Sequence, residues 1–520
     1  MWTPLAFERD EYKLARAAGP VFSHQFILTP DPIDESDEFQ RHDFAGLHLY
    51  TGAKLNVQMA KSKATEVMVL GVAVDPDGHV LTSERLMDIL RDHKNNLAET
   101  ADYLSMSAGR YIFAISNSRS KYLYLDPTGM LSAACDPKRG VIASVATLAV
   151  PGPVEPSDYP MWEEAAYPRG ARFSFGYTLD RRVRQLLPNH RLDLKTFTSE
   201  RHWPSEAQDL RCASPERAEE VVKIASDRHI QVISALARHF PVALPVTAGQ
   251  DSRLLLAHSK TCLKDIKLFF THVTNFNTER DAEIGKTLCD KIGAPHTTFR
   301  VIGNFGKFRP DLPLPDLRRR MLIRAGYLVD EGDLELDPQQ KRELAAAEAV
   351  PEDHLVLRGH VTDISKAVLW RFIGLKFFKF HRTDALPAET AIRLMQLRPA
   401  KSGIVDFDKF NPLYNAWIKG LPKELHRRSV DMLGVEQYRP YSLGLSFNSY
   451  QRNFYLAPGN DRRIIAALAT PPPDLRAMLY VNDMLLQQTV PEFCEIEYVR
   501  ADDNAIRERR WPMERSLDTQ

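Results

Sequence analysis

The chain has 520 residues, 44% apolar and 26% charged, with 25 glycines and 34 prolines. That composition is globular and too long for one core, and it excludes wholesale disorder, collagen-like repeats and coiled coil. Lys plus Arg equals Asp plus Glu at 68 each, so no global positive field marks the chain for nucleic acid or an anionic membrane. The five cysteines (Cys135, Cys212, Cys262, Cys289, Cys494) are odd in number and never spaced C-x-x-C. Neither a disulfide framework nor a thiolate zinc site follows. Charges at Glu8, Arg9, Asp10 and Glu11 fall where a signal peptide needs an apolar run, and no apolar stretch reaches the ~18 residues of a membrane span. The expected setting is a reducing cytoplasm.

In chain order, the first 200 residues read as β. Segments 66–74 and 110–115 are rich in β-branched and aromatic residues, which favour strands. Asp75-Pro76-Asp77-Gly78 and Asp126-Pro127-Thr128-Gly129 supply turns, and one helix is predicted over 83–93. The polar stretch 204–215 reads as a linker, giving domains over 1–205 and 206–520. Ser214 and Pro215 then open a helix whose apolar residues Ala218, Val221, Val222, Ala225, Val232, Ile233 and Leu236 follow the 3.6 period. Strands at 241–246, 266–273, 296–301 and 354–357 alternate with helices at 252–260 and 278–292, and 317–350 reads as helical. That order predicts a parallel sheet with helices on both faces, binding ligand beyond the strand C-termini.

One segment concentrates chemistry: Val246-Thr247-Ala248-Gly249-Gln250-Asp251-Ser252-Arg253. Its small residues let backbone N–H groups approach an anion at a helix N-terminus. Ser252 can donate to phosphate, and Asp251 can hold a divalent cation between phosphate oxygens. A plain strand-to-helix turn capped by Asp or Ser uses the same residues. No Gly-Lys-Ser/Thr follows the glycine, so this is not a Walker A loop.

Residues 247–252 resemble the Ser-Gly-Gly-x-Asp-Ser pyrophosphate loop of asparagine synthetase and its relatives, which cleave ATP to AMP and pyrophosphate. Thr replaces the Ser and Ala the first Gly. Gly359-His360-Val361-Thr362-Asp363-Ile364 is similar to the family's second loop, Gly-x-Gly-Ser/Thr-Asp, with Val361 for the second Gly. Residues 281–296 resemble the intervening helix ending in Leu-Gly-x-x-His. Residues 122–129 and 186–190 are similar to two turns of the glutamine amidotransferase domain. The resemblance spans roughly 60–500. It implies an Ntn-hydrolase-like antiparallel sandwich of α+β class, followed by an α/β adenine nucleotide-binding domain with a helical C-terminal part.

The resemblance further implies ATP and Mg²⁺ as cofactors. Val246, Thr247, Ala248, Gly249, Gln250, Asp251, Ser252, Thr271, Gly359 and Thr362 would contact the nucleotide, and Asp251 and Asp363 the metal. The substrates would be a carboxylate and an amine, with no nucleic acid or membrane; a homodimer stays open. Trp2 stands where glutamine-hydrolysing members carry cysteine, so glutaminase chemistry is not expected. Relatives with that loss, such as β-lactam synthetase, still adenylate a carboxylate. The family lysine near the C-terminus is also missing, since Lys423 is the last lysine; Arg500 is the candidate stand-in. His360 occupies the position of the relatives' Glu or Tyr beside the reacting amine and suits a general base, with Glu389 as its orienting carboxylate. A packed histidine is the plainer alternative. A catalytically silent scaffold and a tRNA-modifying enzyme on the same fold are competing readings, the latter opposed by the balanced charge.

Overall fold

In the computed structural model, the β-rich first 200 residues form two antiparallel six-stranded sheets. The structure describes residues 1–8, 22–34, 37–166, 172–204, 215–274, 276–300, 349–374, 385–396, 403–448 and 452–499. One sheet runs Arg184–Gln185, Ala134–Asp136, Val141–Ala143, Phe26–Thr29, Leu47–Gly52, Phe39–Phe44. The other runs Ser199–Arg201, His190–Asp193, Lys121–Leu125, Ala108–Asn117, Thr65–Val74, Val57–Lys61.

The two-residue side-chain period decides how they layer. In the second sheet Met68, Leu70, Ile112 and Ala114 join Phe26, Leu28, Leu49 and Ile142 of the first in one core. Their neighbours Val67, Val69, Tyr111, Phe113 and Ile115 face the other way, onto Leu86, Ile89, Leu90 and Leu104. Those leucines and isoleucine belong to the helices Ser83–Asp92 and Leu97–Ser105. The helix at 83 was expected; the one at 97 was not. Both are capped, by Thr82 and Asn96 accepting from backbone N–H groups.

The turn at 126–129 is held by one buried carboxylate. Asp126 accepts from the N–H groups of Thr128 (3.1 Å), Met130 (2.9 Å) and Leu131 (2.8 Å). Near the N-terminus the Trp2 ring lies 3.9 Å from the Arg139 guanidinium. Cys135 is buried within its strand, and burial pushes its thiol up to about 12. It is no ready nucleophile.

The second sheet-forming region matches the expected alternation. Thr297–Arg300, Ile266–Val273, Val242–Pro245, Leu355–Leu357 and Tyr455–Leu456 form one parallel sheet in that order. The two-residue strand at 455 has too little pattern to be read from sequence. The helices Pro215–His239, Gln250–His258 and Phe276–Ile292 accompany it. The second of these starts two residues earlier than the sequence suggested. The order reverses between the strands at 242 and 355, the crevice where open α/β sheets bind ligands.

The chain forms two compact units. One holds the described residues of 1–208 and 385–454; the other holds those of 209–312, 336–384 and 455–520. The boundary read at 205/206 lies outside the described residues, while 385–454 belongs with the first unit. The expected helical stretch 317–350 lies almost wholly outside the described residues. In the second unit the long helix from Pro215 carries Arg228, whose Nε donates at 2.6 Å to buried Asp461. Asp461 also caps the helix Arg462–Ala469, accepting from the N–H of Arg463 at 2.7 Å.

Two histidines meet in this unit's interior. The Nδ1 atoms of His229 and His258 lie 2.7 Å apart, a distance that needs one donor and one acceptor, so the two rings cannot both be charged. Burial pushes His229 down to about 4 and His258 well below the usual imidazole range. The unfolded chain then binds more protons than the folded one below about pH 6.5. Stability is full above that value and falls with pH towards 4, by roughly 1.4 kcal/mol per pH unit for each ring. Thermal melts at about pH 7.5 and 5 should show this loss, and His229→Leu should shrink it.

Candidate functional site

The strand Val242–Pro245 delivers the chain at 246–249 to the helix Gln250–His258, whose cap residue is Gly249. With no side-chain cap bond at Gly249, the dipole end of the helix faces a cavity of about 570 Å³. Thr247, Ala248, Gly249, Gln250 and Asp251 line it, with Asp281, Lys366, Val368, Arg371, Phe372, Tyr498 and Val499. Five of the ten residues expected at a nucleotide are therefore in its wall. Val246, Ser252, Thr271, Gly359 and Thr362 are not, and each has a supporting contact instead.

The loop is tied to itself. Ser252 Oγ lies 2.7 Å from Thr247 Oγ1 and accepts from the Thr247 N–H at 3.2 Å. Thr247 Oγ1 accepts from the Gly249 N–H at 3.1 Å, and the Asp281 carboxylate accepts from the Ala248 N–H at 3.0 Å. Two of the N–H groups expected to meet pyrophosphate, those of Ala248 and Gly249, are thus already engaged. Behind the loop, the Thr271 hydroxyl donates to the Val246 carbonyl and lies 2.8 Å from His296 Nε2. That contact explains the helix-ending histidine: it braces the strand that carries the loop.

Polar side chains share the cavity wall with Val368, Phe372 and Val499. Gln250 is 4% exposed, and neither its Oε1 nor its Nε2 has a hydrogen-bond partner. Asp251 pairs at 2.6 Å with Lys366 Nζ. Lys366 comes from the 3₁₀ turn Thr362–Lys366, which follows the strand Leu355–Leu357. It is the residue that sequence reading missed. The resemblance placed the lysine near the C-terminus, yet Lys366 stands three residues after Asp363, one turn away. Asp363 itself is half-buried and absent from the cavity wall.

The second loop packs directly on the first. A Cβ on Gly359 would sit 2.7 Å from Asp251 Cβ and its carbonyl oxygen, so only glycine permits the approach. The Thr362 hydroxyl closes the loop by donating to the Gly359 carbonyl at 2.7 Å. Val361, in place of the resembled second glycine, holds φ 75°, ψ −40° with its side chain fully buried. The backbone keeps a glycine-like shape that costs a β-branched residue strain. His360 is half-buried between these two residues and does not line the cavity.

Glu389 belongs to the other unit, in the helix Ala388–Met395, where its carboxylate pairs with Arg393 at 2.7 Å on an exposed face. Arg500 lies outside the described residues. Among the described residues, no group of three or more His, Cys, Asp or Glu side chains could hold a metal ion, and no helix is long and apolar enough to cross a membrane. Compared with known proteins, the chain matches no family model and no curated sequence.

The far wall is built by Arg253, the residue that follows the loop motif. Its fully buried guanidinium donates to the carbonyls of Phe493 (2.9 Å), Ile496 (2.5 Å) and Glu497 (2.7 Å), and lies 4.1 Å from the Tyr498 ring centroid. Arg280 adds an exposed ion pair to Glu497. Tyr498 and Val499 are so brought to the cavity. Arg253→Met removes the donor from three carbonyls, at about 1–3 kcal/mol for each one left unsatisfied. It should lower the denaturation midpoint and make 491–499 the first site of limited proteolysis.

Proposed function

We propose that the chain is an ATP-dependent, AMP-forming ligase that adenylates a carboxylate and passes the acyl group to an amine, without glutamine hydrolysis. The observation that carries this reading is the Asp251–Lys366 pair at the mouth of a helix N-terminus, in a polar cavity at the switch point of a parallel sheet. The family resemblance of the two loops supplies the reaction, and with it the Ntn-hydrolase-like identity of the N-terminal sandwich. The buried amide of Gln250 supports a polar ligand there, since an unpaired buried amide costs free energy until a partner arrives.

In this reaction a carboxylate oxygen attacks the α-phosphorus of ATP, and the bond to the β-phosphate oxygen breaks. Lys366 and the positive end of the helix Gln250–His258 would stabilise the charge that develops on the leaving pyrophosphate. The carboxylate of Asp251, in a cavity whose wall Asp281 shares, would suit a magnesium ion, which takes one or two carboxylates and completes its shell from phosphates and water. Bound there, the ion would neutralise phosphate charge. A neutral amine then attacks the acyl carbon, and AMP leaves; His360, on the loop that packs against Asp251 but outside the cavity wall, is the candidate base if that loop turns it to the amine.

A second reading has its own observation. Thr247, Ser252 and Asp281 already engage the loop N–H groups, as a silent scaffold would. The two readings separate on substrate-dependent ATP–pyrophosphate exchange across a panel of acids. The ligase shows AMP and pyrophosphate. No exchange with any acid favours the scaffold, and ADP with phosphate overturns adenylation.

Two variants dissect the site. Asp251→Asn should lower exchange by at least ~10²-fold while circular dichroism shows the fold intact; near wild-type turnover would remove Asp251 from the reaction. His360→Ala should spare exchange and lower amide formation by roughly 10²–10⁴-fold, the usual contribution of a general base. Equal loss in both half-reactions would make His360 a support of the Gly359 loop.

A further inference from the structure

The first unit holds a second cavity, unrelated to the reaction proposed above. It measures about 390 Å³, room for a ligand of one or two rings at the small end of ligand pockets. Phe175, Tyr177 and Trp417 supply its aromatic faces, with Arg184, His190 and Gln437 among its polar groups.

The arrangement is held by buried polar bonds. Phe175 has φ 55° and Gly176 φ 80°, left-handed backbone that a phenylalanine adopts only under constraint. Two side chains from a pair of π-helical turns impose it. Gln437 Oε1 accepts from the Phe175 N–H at 2.7 Å, and the Tyr441 hydroxyl accepts from the Gly176 N–H at 2.7 Å. Such π-turns are rare and cluster at functional sites. Trp417 is fixed by donating from Nε1 to Glu436 at 2.8 Å, and Glu436 is fully buried against Arg201.

The polar groups facing the cavity define what could enter. With its oxygen used, Gln437 keeps a buried Nε2 that has no hydrogen-bond partner. His190 Nδ1 donates to the Pro188 carbonyl at 3.0 Å, so its Nε2 is the acceptor. Burial pushes His190 below the usual imidazole range, which keeps that acceptor neutral. Arg184 lies on the exposed rim, its guanidinium 4.8 Å from the Tyr177 ring centroid. It forms no ion pair with any described residue, whereas the charge of Arg201 is met by Glu436.

We propose that this cavity binds a flat aromatic carboxylate, its ring against Trp417 and Tyr177, its polar edge on Gln437 Nε2 and His190 Nε2, and its carboxylate on Arg184. A cation would meet an uncompensated guanidinium, and a polyphosphate would find a single one. Aromatic stacking supplies affinity, and the charge-assisted bond at the rim selects the acid over its neutral analogue.

The test is isothermal titration of the full chain with 2-oxo-1,2-dihydroquinoline-4-carboxylate, whose ring carbonyl can accept from Gln437 Nε2 and whose ring N–H can donate to His190 Nε2, and with its 4-carboxamide. The acid should bind saturably and tighter than the amide. Arg184→Gln, on the exposed rim, should weaken the acid about tenfold and leave the amide unchanged. Gln437→Glu keeps an oxygen for the Phe175 N–H while removing the Nε2 donor, and should weaken both probes, the acid more than the amide because the buried carboxylate repels it. Absence of saturable binding up to the solubility limit of the acid would overturn the proposal. So would affinities that neither substitution moves.

Discussion

The second unit depends on a buried guanidinium. Arg253 follows the loop motif by one residue, and its side chain spends its donors on three carbonyls of 493–497. A charge at that depth is tolerated only because those bonds replace water. Lysine could not serve, because the contact needs a planar fork that reaches several oxygens at once. The bond set decides where the last described segment lies, and so gives the cavity its Tyr498 and Val499 wall. The pair of Arg228 and Asp461 follows the same rule: deep charges in this unit are met by charge or by carbonyls.

Around the loop the economy of hydrogen bonds sets what a ligand would find. Thr247, Ser252 and Asp281 satisfy the N–H groups of residues 247–249, which stiffens the turn and leaves fewer donors for an anion. The positive charge comes from elsewhere, from Lys366 on the second loop. Gly359 makes the two loops touch, and the buried Val361 holds its unusual backbone by packing. Shape and charge at this site are therefore properties of two loops that are distant in sequence.

The first unit solves a different problem. Its sheets are long enough for strands to be buried on both faces, so alternate residues divide between the inter-sheet core and the helical layer. Asp126 holds the turn beside the fully buried Arg110, whose Nε donates to the Met130 carbonyl at 2.9 Å. A neighbouring strand thereby places an arginine beside the turn. Further along the same unit, π-turns aim Gln437 and Tyr441 at a left-handed loop.

Local pattern was enough for much of this architecture. Apolar alternation at 65–74 and 108–117, the 3.6 period from Pro215, and turn residues at 75–78 and 126–129 all act between near neighbours, so they are legible in a single sequence. The alternation of strand and helix after residue 240 likewise entails a parallel sheet, because parallel strands need crossovers. The residues 247–251 were visible as a cavity wall for the same reason. Lys366, Asp281 and Arg253 were not, since what matters about each is a partner 33 to 244 residues away. Nor could the sequence say that Ser252 and Thr271 turn to the backbone rather than to a ligand, or that 385–454 clusters with the N-terminal residues. Secondary structure follows from short-range sterics and periodicity; a site is made of side chains whose neighbours are chosen only when distant segments pack.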